Sequence, residues 1–293
     1  MSLPFAGFEH IVRPGEPLAP LTSLGIGGPA EYFAEPTSVN ELVALIKLGR
    51  ELDMPTRVIG GGSNVLVRDE GVAGLVIHLS APDFCSLSVQ GETIQSGGGC
   101  RLSHFISLAV REGFSGPEQL AGIPGTIGGA LHGNTDSHGE DIGQWVQSAT
   151  VLTGDGEIHT RQRSELNFAY RESSLSELVV LSADFSFHRS DRAALTKRLQ
   201  KQWIIRNSSQ PMSSEHSGYI FKNPGGLTAD SLIEQAGLKG SRMGEVELYQ
   251  RNANFFVAHP GATCADVLKL IEVCKSQVSS QLGVELEVGI DIW

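Results

Sequence analysis

Val58 to Val67 reads VIGGGSNVLV, and the parsing of this stretch decides the fold. An apolar strand runs into Gly60, Gly61 and Gly62, then Ser63 and Asn64, then a second apolar strand. A dinucleotide fingerprint of the Rossmann kind needs G-x-G-x-x-G opening a helix directly after a strand. Here the chain continues as VLVRDEGVAGLVI, which is strand-like, so a Rossmann sheet is a poor reading. Consecutive glycines between strands instead let main-chain N–H groups converge on an anion with no side chain in the way. The stretch predicts a bridging diphosphate held by nested amides in a strand-rich α+β domain.

The same theme recurs on both sides. GIGGPA (Gly25 to Ala30) comes before it, and SVNELVALIKLGRELD reads as a helix with a Ser38/Glu41 capping box and Leu42, Leu45, Ile46 and Leu52 on one face. TIQSGGGC brings Gly97 and Gly98 after a strand, and RLSHFISLAVREGF is a second amphipathic helix. LAGIPGTIGGALHGN is a third glycine-rich loop, with Gly122, Ile123, Pro124, Gly125, Gly128 and Gly129. TVLTGDGEIHT and LVVLSADFSF read as strands that close the domain. Each cluster alone reads equally well as a tight turn; three of them beside apolar elements point to a nucleotide, in the manner of flavin domains outside the Rossmann class.

Composition excludes other classes. The 293 residues carry 22 Lys plus Arg against 33 Asp plus Glu, a formal net charge of −11, which gives no general attraction to a phosphate backbone. No nucleic-acid partner is expected. Cys85, Cys100, Cys264 and Cys274 include no C-x-x-C pair and read as reduced structural thiols of a cytoplasmic protein. The start shows no signal-peptide pattern, and no apolar run approaches the roughly 20 residues of a membrane span. Neither a membrane nor an obligate protein partner is expected. HGNTDSHGED gathers His132, Asp136, His138, Glu140 and Asp141, but the spacing fits no common zinc pattern, so no metal is assigned.

A basic helix and a Ser-rich stretch, HRSDRAALTKRLQKQWIIRNSSQP, put a boundary near Arg189. Residues 1–189 form one domain, in lobes of about 1–80 and 81–189, and residues 190–293 form a second. The second holds FKNP, the helices TADSLIEQAGL and CADVLKLIEVCKSQVSSQLG, and a closing VELEVGIDIW whose alternation predicts a half-buried strand from Val284 to Ile292.

Read together, TSLGIGGPAEYFAEP, VIGGGSNVLV, LAGIPGTIGGALHGN, FAYRESS, FKNP, LIEQAGLKG, NANFFV and GVELE resemble the UDP-N-acetylenolpyruvoylglucosamine reductase family, in order, over nearly the whole chain. The resemblance implies a two-lobed FAD-binding domain of the vanillyl-alcohol oxidase (PCMH) type and a smaller α+β substrate domain. It implies NADPH as electron donor and a UDP-sugar bearing an enolpyruvyl ether as substrate. The glycine clusters, with Ser63 and Asn64, would hold FAD. Arg171 in FAYRESS would stabilise the enolate, and Tyr170, Lys222 and Asn223 would contact substrate. The compact stretch after FAYRESS resembles the family's shorter architectural type.

Two positions depart from the family. Its proton donor, a serine or cysteine, follows the glycine before FKNP, and here that place is Tyr219. Its C-terminal glutamate falls at Gly289, with Glu287 and Asp291 about 6–7 Å away along the strand. Tyr219 is thus either an altered acid or an aromatic plug, with Ser217 a further possible donor. A divergent paralogue with another substrate, or a silent nucleotide-sugar-binding protein, stays open beside the reductase.

Overall fold

The computed structural model describes residues 4–137, 139–211 and 216–293. His138 of the polar cluster and residues 212–215, at the end of the Ser-rich stretch, lie outside the described residues. The described helices are α1 (Val39–Glu51), α2 (Leu102–Glu112), α3 (Ile127–His132), α4 (Arg192–Ser209), α5 (Ala229–Gln235) and α6 (Cys264–Leu282). The chain passes back and forth between two compact units. The first comprises Met1–Glu16, Glu31–Gly61 and Ala73–Ile204, the second Pro17–Ala30, Gly62–Val72 and Ile205–Trp293.

In the first unit a four-stranded sheet runs in the order Val12–Pro17, Pro29–Ala34, Val72–His78, Thr56–Ile59, the last pair parallel. A five-stranded antiparallel sheet runs in the order Ile158–Gln162, Val146–Leu152, Val179–Ser186, Thr93–Gly97, Leu87–Gln90. α1 buries Leu42, Leu45 and Ile46 in a core with Phe5, Leu75 and Ile77. α2 buries Phe105, Ile106 and Ala109, with Phe105 tilted at 58° against Phe185, ring centroids 4.7 Å apart. Each large apolar side chain buried this way contributes about 1.5–3 kcal/mol.

The start of α1 departs from the expected capping box. Ser38 Oγ accepts the Glu41 N–H at 3.3 Å, but the Glu41 carboxylate takes the Thr37 N–H at 2.7 Å, one residue earlier than the box requires. That bond, the His10 ring at 3.1 Å and the Thr37 hydroxyl at 2.8 Å hold the Glu41 pKa down at about 2. Because the folded value lies below the ordinary 4.5, this stabilisation is complete above pH 4.5 and is lost as pH falls towards 2. Hydrogen exchange should show Thr37 amide protection declining across that window, and independent of pH there in Glu41→Gln. A variant whose protection still declines across the window would refute the assignment.

The third glycine-rich segment is not wholly a loop, as expected from its composition, because it contains α3. Thr126 Oγ1 accepts the Gly129 N–H at 3.5 Å, and Ile127, Ala130 and Leu131 are buried. Apolar burial and a threonine cap outweigh the two helical glycines, which cost about 1 kcal/mol each.

The second unit has a four-stranded antiparallel sheet in the order His216–Tyr219, Phe255–Ala258, Val246–Leu248, Arg242–Met243. α6 starts with a complete Thr263/Asp266 capping box and buries Val267, Leu270, Ile271, Cys274 and Val278. All four cysteines are free thiols, and burial pushes Cys274 up to about 12, which keeps it protonated and inert.

The expected C-terminal strand keeps its alternation but not its ladder. Leu286 and Ile290 are buried while Glu285 and Glu287 are exposed, yet regular strand covers only Asp291–Ile292, parallel to Val65–Leu66. Before it, Glu287 O accepts the Lys222 N–H at 2.9 Å and Gly289 N–H donates to Ile220 O at 2.7 Å. The segment changes partners along its length, so no continuous pairing forms.

Candidate active site

In the first unit the glycine clusters meet. Gly60 and Gly61 leave the strand Thr56–Ile59, and a β-carbon on Gly61 would stand 2.8 Å from Gly125 Cα. One on Gly60 would strike Thr126 Oγ1. Gly98 donates its N–H to Leu181 O at 2.8 Å and accepts the Gly128 N–H at 2.7 Å. β-carbons on Gly97 and Gly98 would strike the Phe84 and Val180 carbonyl oxygens. None of Gly60, Gly61, Gly97 or Gly98 has positive φ, so close packing, against main chain at Gly61, Gly97 and Gly98 and against the Thr126 side chain at Gly60, and not turn geometry, demands glycine there. Gly122 and Gly125, at φ +80° and +121°, are turn glycines around Ile123 and Pro124.

Gly129 is the informative exception. It is helical, and a β-carbon would meet nothing nearer than Thr126 Oγ1 at 3.7 Å. The protein's own packing does not call for glycine here. The first turn of α3 therefore presents a surface without side chains at this position.

Tyr170 and Arg171 form the tip of a two-residue hairpin whose arms pair Ala169 with Glu172 and Phe168 with Ser173. Arg171 has φ +58°, a left-handed conformation that costs a non-glycine residue about 1–3 kcal/mol. Its Nε lies 2.9 Å from Asp136 Oδ1, an ion-pair distance without the alignment of a straight hydrogen bond. Asn134, buried and also left-handed at φ +40°, donates from Nδ2 to Ala169 O at 2.8 Å and accepts the Gly143 N–H at 3.1 Å. Ser173 Oγ donates to His132 O at 2.9 Å. The polar cluster expected as a plain loop therefore braces the Arg171 hairpin. Asn134 and Asp136 were not legible as supports, because only the fold brings FAYRESS beside them.

The second unit assembles the FKNP side. Tyr219 ends the strand His216–Tyr219, its ring edge-on to Phe255 at 5.4 Å. Its hydroxyl donates to Asn223 Oδ1 at 3.1 Å, and the same oxygen accepts the Ala229 N–H at 2.9 Å at the start of α5. Lys222 Nζ is 2.5 Å from Glu287 Oε1. A β-carbon on Gly289 would lie 3.2 Å from Lys222 Cγ, so a carboxylate side chain at 289 would begin against this lysine. Buried Asn254, also not singled out by sequence, clamps Phe221 through both its N–H and its carbonyl at 2.8 Å. Gly62, Ser63 and Asn64 fall in this unit, where Asn64 Nδ2 donates to Gly289 O at 3.1 Å.

Fold and loops define an FAD-binding oxidoreductase of α+β build. Residues 30–161 match an FAD-binding domain, and residues 210–293 match the C-terminal domain of UDP-N-acetylenolpyruvoylglucosamine reductase. The chain is 41% identical to the UDP-N-acetylenolpyruvoylglucosamine reductase of Rhodopirellula baltica, covering 97% of this chain and 93% of that one. It is 40% identical to a second such reductase, of Symbiobacterium thermophilum, covering 96% and 92%. The solved structure of the Thermus caldophilus reductase superposes with a TM-score of 0.81 at 32% identity, covering 94% of this chain and 97% of that one. The chain belongs to the UDP-N-acetylenolpyruvoylglucosamine reductase family.

Proposed function

We propose that the chain reduces UDP-N-acetylglucosamine enolpyruvate to UDP-N-acetylmuramate with NADPH, a cytoplasmic step in peptidoglycan precursor synthesis. The observation that carries this reading is end-to-end kinship with reductases of that name, spanning both the FAD-binding and the C-terminal domain. The redox chemistry, uptake of a hydride from NADPH and its delivery to the terminal enolpyruvyl carbon, is what bound FAD contributes. Gly60, Gly61, Gly97, Gly98, Gly122 to Gly125, Gly128 and Gly129, with Gly62, Ser63 and Asn64, are the residues proposed to hold it.

The chain's own side chains must recognise the carboxylate and furnish one proton. Hydride addition leaves negative charge on the carbon bearing the ether, delocalised into the carboxylate, and this charge needs an opposing cation. Arg171 is assigned that role, since its planar guanidinium grips a carboxylate through two parallel hydrogen bonds. Its left-handed backbone fits a residue placed for direction at a conformational cost. Tyr219 is assigned the proton. Its O–H points at Asn223 and must turn from there to protonate carbon, while the Ala229 N–H keeps Asn223 in place. Lys222 is assigned to a substrate phosphate or carboxylate, which would displace Glu287 from it.

Tyr219 and Gly289 favour a second reading, a paralogue with the same cofactor and another substrate. One anaerobic titration separates the two. On the first reading NADPH bleaches the flavin band and the enolpyruvyl sugar restores it. Bleaching without restoration assigns the paralogue, and protein that takes up no FAD ends both.

A further inference from the structure

α4 carries Arg192, Lys197, Arg198, Lys201 and Arg206 and no acidic residue in its 18, within a chain of net charge −11. One side of the helix is anchored. Leu195 is buried, Arg198 Nη1 lies 3.1 Å from Oε1 of fully buried Glu118, and Gln202 Nε2 donates to Gln119 Oε1 at 2.7 Å. On the other side Lys197, Lys201 and Ile204, spaced four and three, share a face. Trp203 and Ile204 are 54% and 62% exposed, and with Leu199 and Gln200 they line a shallow hollow of about 450 Å³. Among the described residues Lys197 and Lys201 form no ion pair.

We propose that this face of α4 docks on an anionic phospholipid surface. An indole beside a protruding isoleucine suits the headgroup level of a bilayer, where an amphipathic ring sits best. Lys197 and Lys201, on the far side of Ile204 from the indole, match the sign of the surface. The chain's overall negative charge opposes approach only weakly, because charges beyond a Debye length of about 8 Å are screened at physiological salt and the local patch decides. An acidic protein partner would need carboxylates set opposite two lysines that nothing on the helix holds still; a diffuse anionic layer needs no such register. The expectation of no membrane partner was general, but it rested on the absence of spanning runs. Lying on a surface requires no apolar run of that length, and among the described residues no helix is long and apolar enough to cross a membrane.

The test is flotation of the full-length protein with vesicles of phosphatidylcholine alone or with about 30 mol% phosphatidylglycerol, a composition carrying a negative surface potential. Binding should require phosphatidylglycerol and weaken as salt rises. Lys197→Gln with Lys201→Gln should lower partitioning roughly 30-fold, about 5-fold per lysine, while the Lys197→Arg and Lys201→Arg pair binds normally and controls for folding. Trp203→Ser should weaken binding and remove the blue shift of fluorescence on vesicle addition. Absence of binding to the anionic vesicles, or equal binding by the glutamine variant, would overturn the proposal. So would light scattering that shows a dimer which Trp203→Ser dissociates, since a second copy would then be the occupant.

Discussion

Tyr219→Phe is expected to leave NADPH-driven bleaching of the flavin unchanged and to slow reoxidation by the enolpyruvyl sugar at least about 100-fold, the low end of what a positioned general acid contributes. The substitution removes one atom. The edge-on contact with Phe255 at 5.4 Å survives, as does the strand pairing of residue 219 with Phe255. The lost bond to Asn223 costs about 0.5–1.5 kcal/mol of stability at most, and Asn223 keeps the Ala229 N–H. A large kinetic loss in a protein that melts almost normally isolates the proton from the packing. Rapid-mixing spectroscopy of the two half-reactions makes the measurement. Unchanged reoxidation would show that the proton comes from elsewhere, and slowing of both halves equally would point to general damage.

The same residue shows how far sequence reading reached. That position 219 differs from the family pattern was legible; what its hydroxyl touches was not, because Asn223 lies four residues on, beyond the end of the strand, and is shared with α5. The long helices were legible from their stripes, as in α1, where Leu42, Leu45 and Ile46 are buried as expected, although Leu52 is exposed and the Ser38/Glu41 box does not form. α3 was not, because it has six residues, two of them glycine, and only tertiary burial together with the Thr126 cap makes it helical. The C-terminal alternation correctly sorted Leu286 and Ile290 inward, but periodicity does not say which neighbour takes the hydrogen bonds, and Ile220, Lys222 and Asn64 share them. The glycine clusters were visible as clusters. Their mutual contacts were not, since a residue without a side chain leaves no pattern of what it packs against.

Those contacts give the second large effect, a contrast between two alanine substitutions. In Gly98→Ala the new methyl group runs into the Val180 carbonyl oxygen. Val180 cannot retreat, because the strand Val179–Ser186 is hydrogen-bonded on both edges, to Val146–Leu152 and to Thr93–Gly97. Residue 98 must move instead, which strains its N–H bond to Leu181 and the bond it accepts from Gly128. Overpacking of this kind costs about 3 kcal/mol or more, a fall in Tm of roughly 6–12 °C for a chain of this size. FAD retention should fail with it. Gly129→Ala is the opposite case: the helical backbone and the 3.7 Å clearance admit a methyl group, and alanine even favours the helix by about 1 kcal/mol. Its melting temperature should hold or rise while FAD affinity drops about 10-fold or more, the equivalent of 1.4 kcal/mol. Calorimetry of the FAD-free protein and a fluorescence titration with FAD read the two quantities separately. A Gly129→Ala protein that binds FAD as tightly as its parent would remove the first turn of α3 from the cofactor surface, whatever Gly98→Ala does.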